Sequence, residues 1–162
     1  QEGMGAVNAR SVAKALNCST QPIFSYFSGM DDLKNALDQK AHDEFEQMVA
    51  QNSDKDHVLE SCCTAYIRFA SEQPRLFAHM FMNVDAGMTT FGNGLVREPI
   101  VEAEAAQAGL AKDKAKEVSE ELWLFTHGLA AMQASGRTSY SREQAQGTVS
   151  GVHEALLAKA KN

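Results

Sequence analysis

Residues 6–33, AVNARSVAKALNCSTQPIFSYFSGMDDL, decide the reading of this chain. They predict two short helices joined by a tight turn, then the start of a third. Val12, Ala13 and Leu16 fall at i, i+1 and i+4, one apolar face of a helix from about Ala9 to Leu16. Asn17-Cys18-Ser19 is the turn. Asn17 is among the few residues besides glycine that tolerate the left-handed conformation a helix C-terminus wants. Ser19 or Thr20 can cap the next helix, and Pro22 stands in its first turn, where a missing N–H costs little. Ile23 and Phe27, at i and i+4, face inward, while Thr20, Gln21, Ser25 and Tyr26 stay outside. A short helix exposing small polar side chains near its N-terminus suits a DNA major groove. The plain alternative is scaffold, since paired short helices are common in all-α proteins.

Outward from this stretch the pattern stays helical. Ser28-Gly29 breaks the chain, and a long helix runs from Met30 to about Asn52, with Leu33, Leu37 and Ala41 on one stripe and Phe45, Met48 and Val49 continuing it. Asp54 or Asp56 can cap a next helix carrying Val58, Leu59, Cys62, Ala65, Tyr66 and Phe69 at helical spacing. Gln73-Pro74 ends that helix, because the residue before a proline disfavours the α region. A short helix from Pro74 follows, then a loop over 83–93 punctuated by Gly87 and Gly92. Pro99 places a helix start near Glu98 or a kink there, and Gly109 ends that helix. Two last helices are expected near Lys112 to Ala134 and Arg142 to Ala160. No strand pattern, internal repeat or low-complexity segment occurs.

The opening stretch resembles the DNA-binding half of the TetR/AcrR family of bacterial transcriptional regulators. The residues that carry the likeness are Ser11-Val12-Ala13, Asn17-Cys18-Ser19, Ile23-Phe24-Ser25-Tyr26-Phe27 and Asp31-Asp32-Leu33. A second stretch, Leu122-Trp123-Leu124-Phe125-Thr126-His127-Gly128-Leu129-Ala130, resembles the Trp-His-Gly motif in the C-terminal domain of one TetR subgroup. The resemblance implies a helix-turn-helix head over 1–38 and a ligand-binding and dimerisation body over 39–162. It also implies that a first helix belongs just before Gln1, whose absence would expose Val12, Ile23 and Phe27. Two positions depart from the family. Tyr usually stands at Phe24 and Lys at Met30, both as phosphate contacts. Arg10, Lys14, Lys34 and backbone N–H groups at helix starts can compensate in part, and few neutralised phosphates imply a modest salt dependence of operator binding.

Composition agrees with this and narrows it. The 162 residues carry a net charge of −6 and 44% hydrophobic residues, enough for a sizeable core but not for blanket nucleic-acid affinity. Within residues 1–40, Arg10, Lys14, Lys34 and Lys40 balance Glu2, Asp31, Asp32 and Asp38, so the acid excess lies in the body. Cys18, Cys62 and Cys63 are odd in number with two adjacent, which argues against a disulfide framework and for a reducing, cytoplasmic setting. No apolar run approaches a membrane span, and no signal peptide is visible.

Little points to catalysis. Gly3-Met4-Gly5 and Gly92-Asn93-Gly94 are incomplete phosphate loops with no strand before them, and no Gly-x-Ser-x-Gly elbow exists. Asp54-x-x-His57 is too little for a di-iron bundle, and Cys62-Cys63 too little for zinc. No catalytic residue, metal or cofactor is expected. More informative is the run of Phe77, Met80, Phe81, Met82, Met88 and Phe91, joined in the family layout by Phe45 and Met48. Any one of these is ordinary core. Together, adaptable Met and flat aromatics suit a pocket closing over a small, mostly apolar effector. Trp123 and His127 share a helix face at i and i+4, and His127 is either a hydrogen-bonded core histidine or a polar handle on the ligand.

The expectation is thus an all-α regulator, a repressor released from a palindromic operator by a small ligand, acting as a homodimer through the last two helices. Ser19, Thr20, Gln21, Ser25 and Tyr26 are the candidates for groove contacts, with Arg10 and Lys34 for phosphates. Phe45, Met48, Phe77, Met80, Phe81, Met88, Phe91, Trp123 and His127 are the candidates for ligand contact. The alternative is a helical bundle that binds a small hydrophobic molecule without touching DNA.

Overall fold

The computed structural model describes residues 6–82 and 96–162. Eight α-helices lie among them: α1 (Ala9–Ala15), α2 (Gln21–Tyr26), α3 (Met30–Asn52), α4 (Val58–Glu72), α5 (Pro74–Met82), α6 (Glu98–Ala108), α7 (Lys112–Ala134) and α8 (Arg142–Ala160). The described residues contain no strand, and the fold is all-α as the sequence implies. The chain divides into two compact units, Gln1–Phe45 and Glu46–Asn162, with the division inside α3. The loop predicted over 83–93, with Met88 and Phe91, lies outside the described residues.

In the first unit, Ala13, Ile23 and Leu33 form a buried cluster, one residue from each of α1, α2 and α3. Val7, Val12, Phe27, Met30 and Leu37 pack against it. Ile23 is therefore buried and Val12 and Phe27 are half-buried, which differs from the exposure expected of these inner faces. The start of α3 supplies the cover through Met30, Leu33 and Leu37. Leu16 is a second departure: it caps α1 and is exposed, not part of the inward face. The start of α1 is fixed by a capping box that the sequence reading passed over. The Asn8 side chain accepts from the Arg10 and Ser11 N–H groups, and the Ser11 hydroxyl accepts from the Asn8 N–H.

In the second unit α4 is the hub, packing on α5, α6, α7 and α8. Its sequence explains this, because Leu59, Cys62, Cys63, Ala65, Tyr66, Ile67, Phe69 and Ala70 are all buried, more than one face of a helix can supply. The cap expected from Asp54 or Asp56 is not made. His57 stands at the N-cap without a side-chain bond, while the Asp54 carboxylate accepts from the Asp56 N–H. Asp54 instead ties its own N–H to the Ser61 hydroxyl, 3.0 Å away. Likewise Thr20 stands at the N-cap of α2 without a side-chain bond, which leaves its hydroxyl unused by the helix.

Candidate functional site

Two groups of residues carry the functional question, one in each unit. In the first unit the buried cluster anchors α2 from beneath and leaves a polar edge outward. Ser19, Gln21, Ser25 and Tyr26 are exposed, Tyr26 at 86%, and Thr20 is half-buried. The Ser25 hydroxyl donates to the Gln21 carbonyl at 3.0 Å, so it is left only as an acceptor. Arg10 on α1 is exposed, and Lys34 in the first turns of α3 is half-buried. Of the two positions that depart from the usual phosphate contacts, Phe24 is exposed and Met30 packs on the cluster.

In the second unit Tyr66 stands at the centre of an aromatic group. Its ring meets Phe77 edge-on at 5.2 Å and Phe81 at 4.9 Å between centroids. Its hydroxyl lies 2.9 Å from His127 Nδ1. Burial pushes the tyrosine pKa further up and lowers that of His127, so both groups are neutral near pH 7. A neutral imidazole offers one acceptor and one donor. In one tautomer the hydroxyl donates to Nδ1 and Nε2–H is the imidazole's free donor; in the other the hydroxyl accepts from Nδ1–H and Nε2 is an acceptor. Trp123 stacks on His127 at 5.6 Å, one turn earlier on α7, and its Nε1–H is buried with no hydrogen-bond partner among the described residues. An unpaired buried donor is costly, and a ligand acceptor would satisfy it.

The sequence placed seven of its nine ligand candidates on described residues. Phe77, Met80, Phe81, Trp123 and His127 lie on α5 and α7, which pack together. Phe45, buried, falls in the first unit, and Met48, half-buried, falls in the second. Tyr66 was seen only as part of the α4 stripe. Its signal was available: a tyrosine on a wholly apolar stripe needs a partner for its hydroxyl.

The family described as tetracyclin repressor-like, C-terminal domain, matches residues 59–153, more than half of the chain. The chain belongs to the tetracyclin repressor-like family. It is a regulator of the TetR type. No curated protein and no solved structure matches the chain.

The matched span of this tetracyclin repressor-like body covers the whole aromatic group on α4, α5 and α7. It also covers a polar cluster that the sequence reading missed. His153 on α8 is buried and bridges two carboxylates, Glu60 on α4 at 2.8 Å and Glu104 on α6 at 2.9 Å. The Ser150 hydroxyl donates to the second Glu60 oxygen at 2.5 Å. Burial works against the charge on His153, but the hydrogen bonds and charges of Glu104 and Glu60 outweigh it and raise its pKa above 6.5. Burial also works against the Glu60 charge, and the bonds from Ser150 and His153 outweigh it and lower its pKa. Cys63, buried beside α7, has its thiol pushed up to about 12 by burial, which makes it inert packing and not a nucleophile. Among the described residues no helix is long and apolar enough to cross a membrane, and no group of three or more His, Cys, Asp or Glu could hold a metal ion.

Proposed function

We propose that this regulator is a homodimeric repressor that leaves a palindromic operator when a small, mostly apolar ligand enters the body. The observation that carries the reading is the helix-turn-helix of the first unit, with a polar edge over a buried apolar underside, on a chain whose body is tetracyclin repressor-like. Gln21 is the best base reader. Its side chain is exposed and has no partner among the described residues, and its amide can pair with two groups on an adenine edge. Ser19, Thr20, Ser25 and Tyr26 complete the groove surface, and Arg10 and Lys34 hold phosphates.

The ligand is held in the second unit, among Met48, Phe77, Met80, Phe81, Trp123 and His127. Buried neutral groups suit an uncharged molecule, with one acceptor oxygen for the Trp123 or His127 N–H. Dimerisation uses the outward faces of α7 and α8. Leu124 and Met132 are exposed on the line Leu124–Gly128–Met132, and a Cβ built on Gly128, Gly147 or Gly151 meets nothing within 4 Å. Leu122 and Leu129 belong to the protomer core, so they do not contribute. Induction is a population shift. The ligand binds better to a conformation whose two heads no longer fit adjacent major grooves, and release follows when that preference exceeds the operator's own.

A mobility-shift assay with the full-length protein and DNA upstream of its gene tests the reading. A shift that the wild-type protein makes on a two-fold symmetric site supports it. Gln21→Ala should relax base preference in a binding-site selection while leaving the dimer intact, and unchanged preference would remove Gln21 from the groove. No shift on any upstream fragment would leave a ligand-binding helical bundle without DNA contact, in keeping with the apolar side chains at Phe24 and Met30.

A further inference from the structure

A groove along α4 and the start of α8 shares no residue with the aromatic group. Two adjoining cavities of about 370 and 430 Å³ open on it, and Thr64, Arg68 and Arg142 line both. Their chemistry differs. The larger adds Asp54, Glu60 and Glu154. The smaller adds Ile67, Tyr140 and Ala145, and its one carboxylate, Glu72, is already taken. Arg68 Nε donates to Glu72 at 2.6 Å, and its Nη1 donates to Asn52 at 3.2 Å. Arg142 has no hydrogen bond or ion pair among the described residues. The first turn of α8 is already supplied with an anion, because the Glu143 carboxylate accepts from its own N–H and from the Ser141 hydroxyl. The Arg142 charge also acts on Glu143, but without an ion pair. The smaller cavity therefore holds a guanidinium with no hydrogen-bond partner among the described residues, beside the apolar Ile67, Tyr140 and Ala145.

We propose that this cavity binds a small amphipathic monocarboxylate. Its carboxylate pairs with the planar Arg142 fork, and its apolar part covers Ile67, Tyr140 and Ala145. One guanidinium without a hydrogen-bond partner selects a monoanion. A phosphate dianion would bring a second charge next to Glu72 with nothing to balance it. The volume lies at the small end of the range for ligand sites and suits a single ring or a short chain. The site stands apart from the effector reading above, and its test involves no DNA.

Sodium benzoate and its neutral isostere benzamide are the probes, titrated into the full chain while methyl signals of Ile67 and Ala145 and the Trp123 indole N–H are followed by NMR. Benzoate should shift both methyls saturably and leave the indole unmoved. Arg142→Gln, an exposed position, should weaken benzoate at least about tenfold, and benzamide should bind wild-type protein at least about tenfold more weakly than benzoate, since either change leaves one partner uncompensated. Absence of a saturable methyl shift, equal binding by Arg142→Gln, or movement of the Trp123 signal in place of Ile67 would overturn the proposal.

Discussion

Two histidines in the body face opposite environments, and their titrations should run in opposite directions. His153 lies between Glu60 and Glu104, whose bonds and charges hold its proton against the cost of burial. Its folded pKa is above 6.5, so the stability it contributes is full below that value and is lost as pH rises through the folded pKa. Glu60 has a lowered pKa, so its share is present above 4.5 and is lost as pH falls through the folded value. The bridge is thus strongest between the two. Among the described residues His127 has no carboxylate bonded to it, and burial lowers its pKa. Below 6.5 the unfolded chain takes up the proton first, so this residue lowers stability as the solution becomes acid. An NMR titration of the imidazole Hε1 signals should give a midpoint above 6.5 for His153 and below it for His127. The reverse order would mean that the Glu60–His153–Glu104 bridge does not form. The sequence held a trace of this bridge. Glu104 falls on the same stripe as Ile100 and Val101, and His153 lies one turn after Val149, so each interrupts a buried face with a charge. The pairing itself joins residues far apart in the chain, which no local pattern encodes.

At the scale of elements, three helices end in one device. After α1 the Cys18 N–H reaches the Ala13 carbonyl at 2.9 Å and the Asn17 N–H reaches Lys14 at 3.2 Å, with Asn17 left-handed at φ 53°. After α6 the Leu110 N–H reaches Ala105, and after α7 the Arg137 N–H reaches Met132, with Gly109 and Gly136 in the same conformation. This is the Schellman arrangement, which satisfies carbonyls that a helix end would otherwise orphan. Asn17 is the non-glycine member, and it sets the path from α1 into α2. Asn17→Val should destabilise the first unit by roughly 1–2 kcal/mol, because a β-branched side chain resists the left-handed region. Asn17→Gly should match or exceed wild type. Thermal melts of the two variants in one buffer check this, and equal melting would mean the turn has relaxed. These endings also explain what was legible. Asn17, Pro22, Pro74, Pro99 and Gly109 act through backbone geometry that needs no partner, so they marked helix boundaries from sequence alone. The caps expected of Thr20, Asp54 and Asp56 each need a side chain to turn to the helix start, and none is made; the Asp54 carboxylate accepts from the Asp56 N–H instead.

At the scale of the whole molecule, operator binding by this reading needs two heads held at a fixed separation, so it depends on the α7–α8 face. Leu124 is 62% exposed and Met132 45% exposed, two turns apart on α7, with Gly128 between them and no atom of the described residues within 4 Å of an added Cβ there. In the dimeric reading proposed above a partner covers these outward apolar side chains, and a two-fold contact sets this line against its own copy. Leu124→Glu tests it at the more exposed of the two positions, where change costs the protomer least. In a two-fold dimer the variant would place two carboxylates across the interface. Helical content by circular dichroism should stay as in wild type, while the mass by light scattering should fall to one chain. Affinity for a palindromic site should then drop by about a hundredfold or more, because the second head would no longer bind at the high effective concentration its tether provides, while affinity for a single half-site should hold. A Leu124→Glu protein that remained dimeric and kept its operator affinity would move the two-fold axis to another face, and the groove-reading assignment of Gln21 would stand or fall without it.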